Sequence, residues 1–200
     1  MTQITTYSME TFIANVREVF ATQDTSLARA QGIAEEMKRL LKEPHWLDDK
    51  VGQQRGRVDL YVDDQYGHPG PGFLLMCSRS ERTATLAAPQ PAPTESGAVP
   101  HDHGASFVVY GIYKGAGQQI KYQWSYPPGQ WTSPRLVESG RFIQQAGEVA
   151  FFLPGEIHST APAGDGVTVI VRLEAQKLER VTRHRYNLQD NTAILVPARE

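Results

Sequence analysis

The chain has 200 residues, 20 Lys and Arg against 22 Asp and Glu, a formal net charge of −2 and a single cysteine. That balance gives no electrostatic reason to expect DNA, RNA or an anionic membrane as partner, and the length suits one domain with an ordinary core, or a domain with a small helical attachment. No apolar run approaches the ~20 residues that span a bilayer, MTQITTYSMETF lacks the basic start and apolar core of a secretory signal, and a lone Cys77 excludes an internal disulfide, so a cytoplasmic protein is expected.

Residues 1–50 read as a helical N-terminal extension. Met9, Phe12, Ile13, Val16, Val19 and Phe20 recur at three- and four-residue steps behind Ser8, a candidate N-cap. A second stripe, Leu27, Ala30, Ile33, Ala34, Met37, Leu40 and Leu41, follows Asp24 as candidate cap and stops before Pro44. Neither stripe carries clustered ligand-type side chains, so both helices are expected to pack on the outside of a core.

Residues 51–200 change in texture. Short runs rich in Val, Ile, Tyr, Phe and Thr predict strands at Val58–Val62, Gly72–Cys77, Phe107–Tyr113, Ile120–Ser125, Arg135–Ile143, Val149–Leu153 and Val167–Glu174. Breakers such as HPGPG, SYPPGQW and APAGDG separate them, which indicates an all-β sandwich or barrel and not a parallel βαβ sheet. Cys77 closes the apolar run Phe73–Cys77 and reads as a buried free thiol. The Pro-rich stretch from Ala88 to Pro100 is too long for a hairpin turn and is either a lid over a barrel mouth or a plain connection.

Of six histidines, three form a constellation with evident chemistry. In Pro100-His101-Asp102-His103-Gly104, entering a strand-like run, residues two apart share a face, so His101 and His103 project together and Asp102 points away. Two such imidazoles suit adjacent positions on one metal ion. Downstream, Gly147 leads an apolar strand, a Pro154-Gly155 turn and then His158 at the start of the next strand, which supplies a third ligand. His45, His68 and His184 lack this context and read as surface or structural residues.

These motifs resemble those of the cupin superfamily. Gly97, His101, His103 and Gly115 are similar to the first cupin motif, and Gly147, Gly155 and His158 to the second. The position of the first motif's Glu holds Phe107 or Val108, the second motif's proline is displaced to Pro154, and its terminal Asn position holds Pro162. The resemblance spans residues 56 to 190, is specific only around the two histidine motifs, and implies a double-stranded β-helix (jelly-roll) barrel holding one divalent metal. A site of three histidines without the carboxylate resembles the thiol dioxygenases, cysteine dioxygenase among them, and implies Fe(II), with Zn, Mn or Ni as alternatives. Three neutral ligands leave the metal its full 2+ charge, which favours an anionic substrate bound directly to it.

Two parts of the thiol dioxygenase apparatus are not matched. The strand after His158 carries Arg172 and Glu174 where that family has the His and Tyr of a hydrogen-bond relay, and Leu60-Tyr61-Val62-Asp63 offers no substrate-anchoring Arg. Arg172 and Glu174 share one face of an apolar strand; with inward parity they must pair with each other or meet a ligand, and with inverted parity both face solvent. Arg172 is therefore a candidate contact for an acidic substrate group. Tyr61 and Tyr110 are candidate hydrogen-bond donors to substrate or oxygen, or core aromatics. Glu156 stands beside the third histidine, either accepting a hydrogen bond there or lying outside the mouth.

Three functions stay open. The first is a mononuclear iron dioxygenase acting with O2 on a small anionic substrate, a thiol among the candidates. The second is a non-redox metal-dependent lyase, isomerase or hydrolase, and the third a non-catalytic small-molecule-binding protein. The exposed apolar strands and the helical pair are compatible with a homodimer without specifying one.

Overall fold

The computed structural model describes residues 7–43, 45–48, 56–82, 99–126 and 134–199. Two helices open the chain, α1 (Met9–Thr22) and α2 (Ser26–Lys42). The Ser8 hydroxyl accepts from Thr11 N at 3.2 Å and caps α1. The cap of α2 is Thr25 and not Asp24: the helix begins one residue later, where the Thr25 hydroxyl accepts from Ala28 N at 3.1 Å.

Ten strands follow among the described residues: β1 (Gly56–Val62), β2 (Leu74–Arg82), β3 (Val108–Lys114), β4 (Ala116–Ser125), β5 (Arg135–Gln145), β6 (Val149–Phe152), β7 (Ile157–Ala163), β8 (Gly166–Glu174), β9 (Arg183–Asn187) and β10 (Thr192–Val196). One antiparallel sheet runs β1-β2-β8-β3-β6 and the other β5-β4-β7. Residues 100–102 extend the second sheet. His101 bridges His158 of β7 on one side and Arg185 of β9 on the other, and β10 pairs with β9 beyond. This all-β core, two antiparallel sheets face to face with a two-helix N-terminal extension, has the double-stranded β-helix architecture. The helical segment and seven strands match the sequence reading to within a few residues. β7 was anticipated only as a start after the Pro-Gly turn, and β9 and β10 were not anticipated. All but Val99 and Pro100 of the Ala88–Pro100 stretch, together with Gly97, lies outside the described residues.

The helices cover the outer face of the five-stranded sheet. Phe12, Val16 and Phe20 of α1 and Ile33, Met37 and Leu40 of α2 share one cluster with Leu75, Cys77, Val109, Val171 and Leu173. Those strand residues alternate with the inward Val108, Tyr110, Ile112 and Ile170, which pack with Phe152 in a second cluster inside the barrel. With both faces buried, the central strands read as continuous apolar runs. Cys77 is buried on the helix side, where desolvation raises its thiol pKa. Leu27 departs from its stripe: it lies 46% exposed. At Gly111 the approach is too close for a side chain, since a Cβ there would meet Leu41 Cδ1 at 2.7 Å and Met37 Sδ at 2.8 Å. No helix among the described residues is long and apolar enough to cross a membrane.

Because helices and sheet share one cluster, they should unfold together. Met37 is fully buried, and Met37→Ala should cost about 2–5 kcal/mol. Urea unfolding followed by far-ultraviolet circular dichroism and by tryptophan fluorescence should give one coincident transition at a lowered midpoint; separate transitions would mean that the helices are an independent unit.

Candidate metal centre

The two histidine segments meet through backbone pairing. His101 N donates to His158 O at 2.9 Å and His158 N to His101 O at 3.0 Å. Residues directly opposite in an antiparallel pair direct their side chains to the same face. His103 arrives by a different route from that expected. It is not on β3, which starts at Val108, but on a turn closed by Ser106 N donating to His103 O at 3.0 Å. Gly104 lets that turn form: its φ is +56°, and a Cβ would meet Thr182 O at 2.0 Å.

The result is a compact triangle. Ring centroids are 5.0 Å apart for His101–His103, 4.7 Å for His101–His158 and 4.8 Å for His103–His158. One nitrogen from each ring lies within 4.8 Å of the others. His103 and His158 are fully buried, and the His158 ring stacks on Phe152 at 3.6 Å between centroids and 8° between planes. Desolvation lowers all three imidazole pKa values, His101 to about 4 and the other two well below the ordinary value. Neutral rings in a cluster are what metal ligation requires.

Hydrogen bonding separates ligand nitrogens from structural ones. His101 Nδ1–H donates to Val99 O at 2.9 Å, which fixes the tautomer and leaves Nε2 as an electron-pair donor. His103 Nδ1, His103 Nε2 and His158 Nδ1 are buried with no partner. Leaving such groups unsatisfied costs about 1–3 kcal/mol each, and a divalent metal, which takes one nitrogen from each ring, would answer one of the two on His103. The donor set fits a transition metal, Fe, Zn, Mn or Ni, without selecting one.

Asp102 does point away from the triangle, and it is buried, not solvated. Its carboxylate accepts from Gly104 N at 2.8 Å, His184 N and Nδ1 at 3.1 Å each and the Tyr186 hydroxyl at 2.6 Å, a set that holds the His-x-His turn onto β9. His184 is thus structural, as expected. His68 packs against Phe107 with Nδ1 3.0 Å from Arg29 Nη1, and His45 is an exposed partner of Asp48.

The other anticipated residues divide. Tyr110, on β3, has its hydroxyl 3.4 Å from His158 Nε2. Arg172, on β8, lies between Tyr110 of β3 and Met76 of β2, has inward parity, and stacks its guanidinium 5.9 Å from the Tyr110 ring centroid. It pairs with Glu174 and contacts Met76 Sδ at 3.1 Å, while its Nε is buried without a partner. Glu174 also accepts from Leu178 N at 3.0 Å. Glu156 accepts from Leu153 N at 2.6 Å and pairs with Lys121 at 3.3 Å, which ties down the turn before His158. Tyr61 is not brought to the triad. A β-bulge between Asp59 and Tyr61 shifts register so that Asp59 opposes Met76 but Tyr61 opposes Leu75, turning Tyr61 to the helix side. Its hydroxyl there is 2.6 Å from Arg17 Nη2 and 3.0 Å from Asp63 Oδ2.

A cavity of about 550 Å³ reaches His101 and Arg172. Arg57, Arg172, Lys177, Arg183, Arg185 and Arg199 line it against three acids, Asp59, Glu174 and Glu179. Burial lowers the Arg183 pKa, and the neighbouring charge of Arg185 lowers it further. Sequence reasoning missed this wall because β9 was not anticipated. The alternation of Arg183 and Arg185 about His184, and the TAILV run after Asp190-Asn191, were the available signals.

No protein-family model and no curated protein matches the chain. Solved structures similar to it include a sugar phosphate isomerase of the cupin superfamily from Silicibacter pomeroyi, with 14% identity, TM-score 0.42, and coverage of 76% of this chain and 68% of that one. A double-stranded β-helix protein from Klebsiella pneumoniae shows 11% identity, TM-score 0.36, and coverage of 74% and 88%. Oxalate decarboxylase from Bacillus subtilis shows 14% identity and TM-score 0.34 over 52% of this chain, which spans 21% of that protein's length.

Burying three neutral imidazoles sets a pH dependence in the metal-free protein. Between an unfolded pKa near 6.5 and the depressed folded values, the unfolded chain binds protons that the native state refuses. Stability therefore falls as pH falls through that window, by about 3 kcal/mol for His101 alone. Denaturant titrations of chelator-treated protein from pH 7.5 to 4.5 should show this loss, with a shallower slope in His103→Gln. Equal slopes would mean that His103 is not held neutral.

Proposed function

We propose that the protein is a cupin enzyme with one mononuclear non-haem iron(II), an oxygenase acting on a small anionic substrate that meets the metal directly. The observation that carries this reading is the cluster of three neutral imidazoles, two of them fully buried and with unpartnered ring nitrogens on His103 and His158, beside a cation-lined cavity. His101, His103 and His158 would hold the metal, which when bound supplies a Lewis acid and, as iron, redox chemistry toward O2.

The chain's own residues do the rest. The excess of guanidinium groups draws an anion into the cavity. Arg172 is held by Glu174 and Met76 with Nε unspent, so it can orient an acidic group beside His101. Tyr110 offers a hydroxyl next to the imidazoles and can donate to a bound ligand. Phe152, Val108, Ile112 and Ile170 form an apolar floor that excludes water and fixes the His158 ring. The Val99 carbonyl holds the His101 tautomer, and Asp102 holds the turn carrying His103. The group meeting the metal can be a thiolate, carboxylate or enolate. With Arg172 and Glu174 on the strand after His158, the thiolate has no special claim among them.

Protein purified without an affinity tag of histidines should contain near-stoichiometric iron by elemental analysis, lost in His103→Ala. Oxygen uptake should appear with a small anionic substrate and fall at least tenfold in Tyr110→Phe or Arg172→Gln. Turnover under strict anaerobiosis, or stoichiometric zinc, nickel or manganese, would replace this reading with Lewis-acid chemistry. A metal-free protein that is stabilised by ligand and yields no product would replace it with a binding function.

A further inference from the structure

We infer that the cavity beside His101 recognises a phosphate monoester, its dianionic head on the β9 and C-terminal cations and its other end turned toward the histidine triad. This inference rests on the reading that substrate approaches the triad through that cavity.

The argument is one of charge balance. Two of the cations on the cavity wall are matched locally: Arg57 pairs with Asp59 at 2.9 Å, and Arg172 pairs with Glu174. Arg183 directs one N–H to the Leu178 carbonyl and makes no ion pair among the described residues; Glu174, already paired with Arg172, answers its charge only at longer range. Among the described residues, Lys177, Arg185 and Arg199 have no ion-pair partner, and Glu179 is the one remaining acid on the wall. Among the described residues, four cations against one acid leave an excess of three positive charges on one side of a concave site.

A neighbouring arrangement of like charges is unfavourable unless something answers it. One carboxylate offsets a single charge. A phosphate monoester carries about −1.5 to −2 at pH 7, presents three acceptor oxygens, and matches the planar fork of guanidinium groups. Arg183 and Arg185, two apart on β9, direct side chains to the same face, while His184 between them turns to Asp102. The cavity volume of about 550 Å³ lies within the range of small-ligand sites, about 300–1,000 Å³. His101 on the same wall connects the anion site to the triad, and Arg172, whose Nε is buried without a partner, lines the same cavity.

Isothermal titration calorimetry on the full chain tests this, with inorganic phosphate as probe and succinate as the carboxylate rival. Saturable phosphate binding is expected, at least tenfold tighter than succinate, and weakened at least tenfold in Arg199→Gln and in Arg185→Gln, each with unchanged thermal stability. Phosphate that produces no saturable heat, succinate that binds as tightly, or Arg199→Gln and Arg185→Gln that both bind like the parent would overturn the proposal. The same titration on His103→Ala, which should carry no metal, keeps the two readings apart: phosphate that still binds there sits on the cations, and phosphate lost there sits on the metal and overturns the proposal. Phosphate binding retained in a parent protein that takes up no metal would sink the metal reading alone, and metal uptake without phosphate binding would sink this one alone.

Discussion

The structure depends on one antiparallel backbone pair, His101 opposite His158. Two hydrogen bonds of 2.9 and 3.0 Å join segments that are distant in sequence and place their imidazoles on one face of the second sheet. On the other side of residues 100–102, Asp102 N donates to His184 O and Tyr186 N to Pro100 O, so β9 becomes part of the same sheet. The insertion of this three-residue piece between β7 and β9 therefore sets His101 opposite His158 and brings Arg183 and Arg185 of β9 beside them.

The helices matter to the site indirectly. By burying the outer face of the five-stranded sheet, they let β2, β3 and β8 be apolar on both sides and hold those strands in register. Rigid strands then fix Arg172 between Met76 and Tyr110, and the charged pair Arg172–Glu174 is tolerated on an inner face because its two members answer each other at the edge of the cavity. A buried pair of this kind is weak evidence for stability; its better use here is orientation.

Much of this was legible in the sequence, and the failures have physical causes. Period-3.6 stripes gave both helices, because one face of each is buried against the sheet and the other is wet. Short β-branched and aromatic runs between Gly and Pro breakers gave seven strands, the central ones without alternation because both of their faces are buried. The inward parity of Arg172 was one of two readings, and only the register with Tyr110 and Met76 decides it. Tyr61 could not be placed from alternation, since a bulge two residues earlier inverts the face and leaves no mark in the residue types. Asp102 pointed away as parity demanded, but parity does not reveal that a C-terminal strand would bury it with His184 and Tyr186. β9 itself, Arg-His-Arg-Tyr-Asn, is too polar to read as a strand until its cavity and its partner segment are known.

The central claim is that three neutral imidazoles, and no carboxylate or thiolate of this chain, hold one metal ion. X-ray absorption at the metal edge of the purified protein tests it most directly. The account predicts a nearest shell of nitrogen and oxygen at about 2.0–2.2 Å, with the outer-shell scattering of three imidazoles, one of which is lost in His158→Ala reloaded with excess metal. A sulfur shell, or an imidazole signal unchanged in that variant, would contradict it.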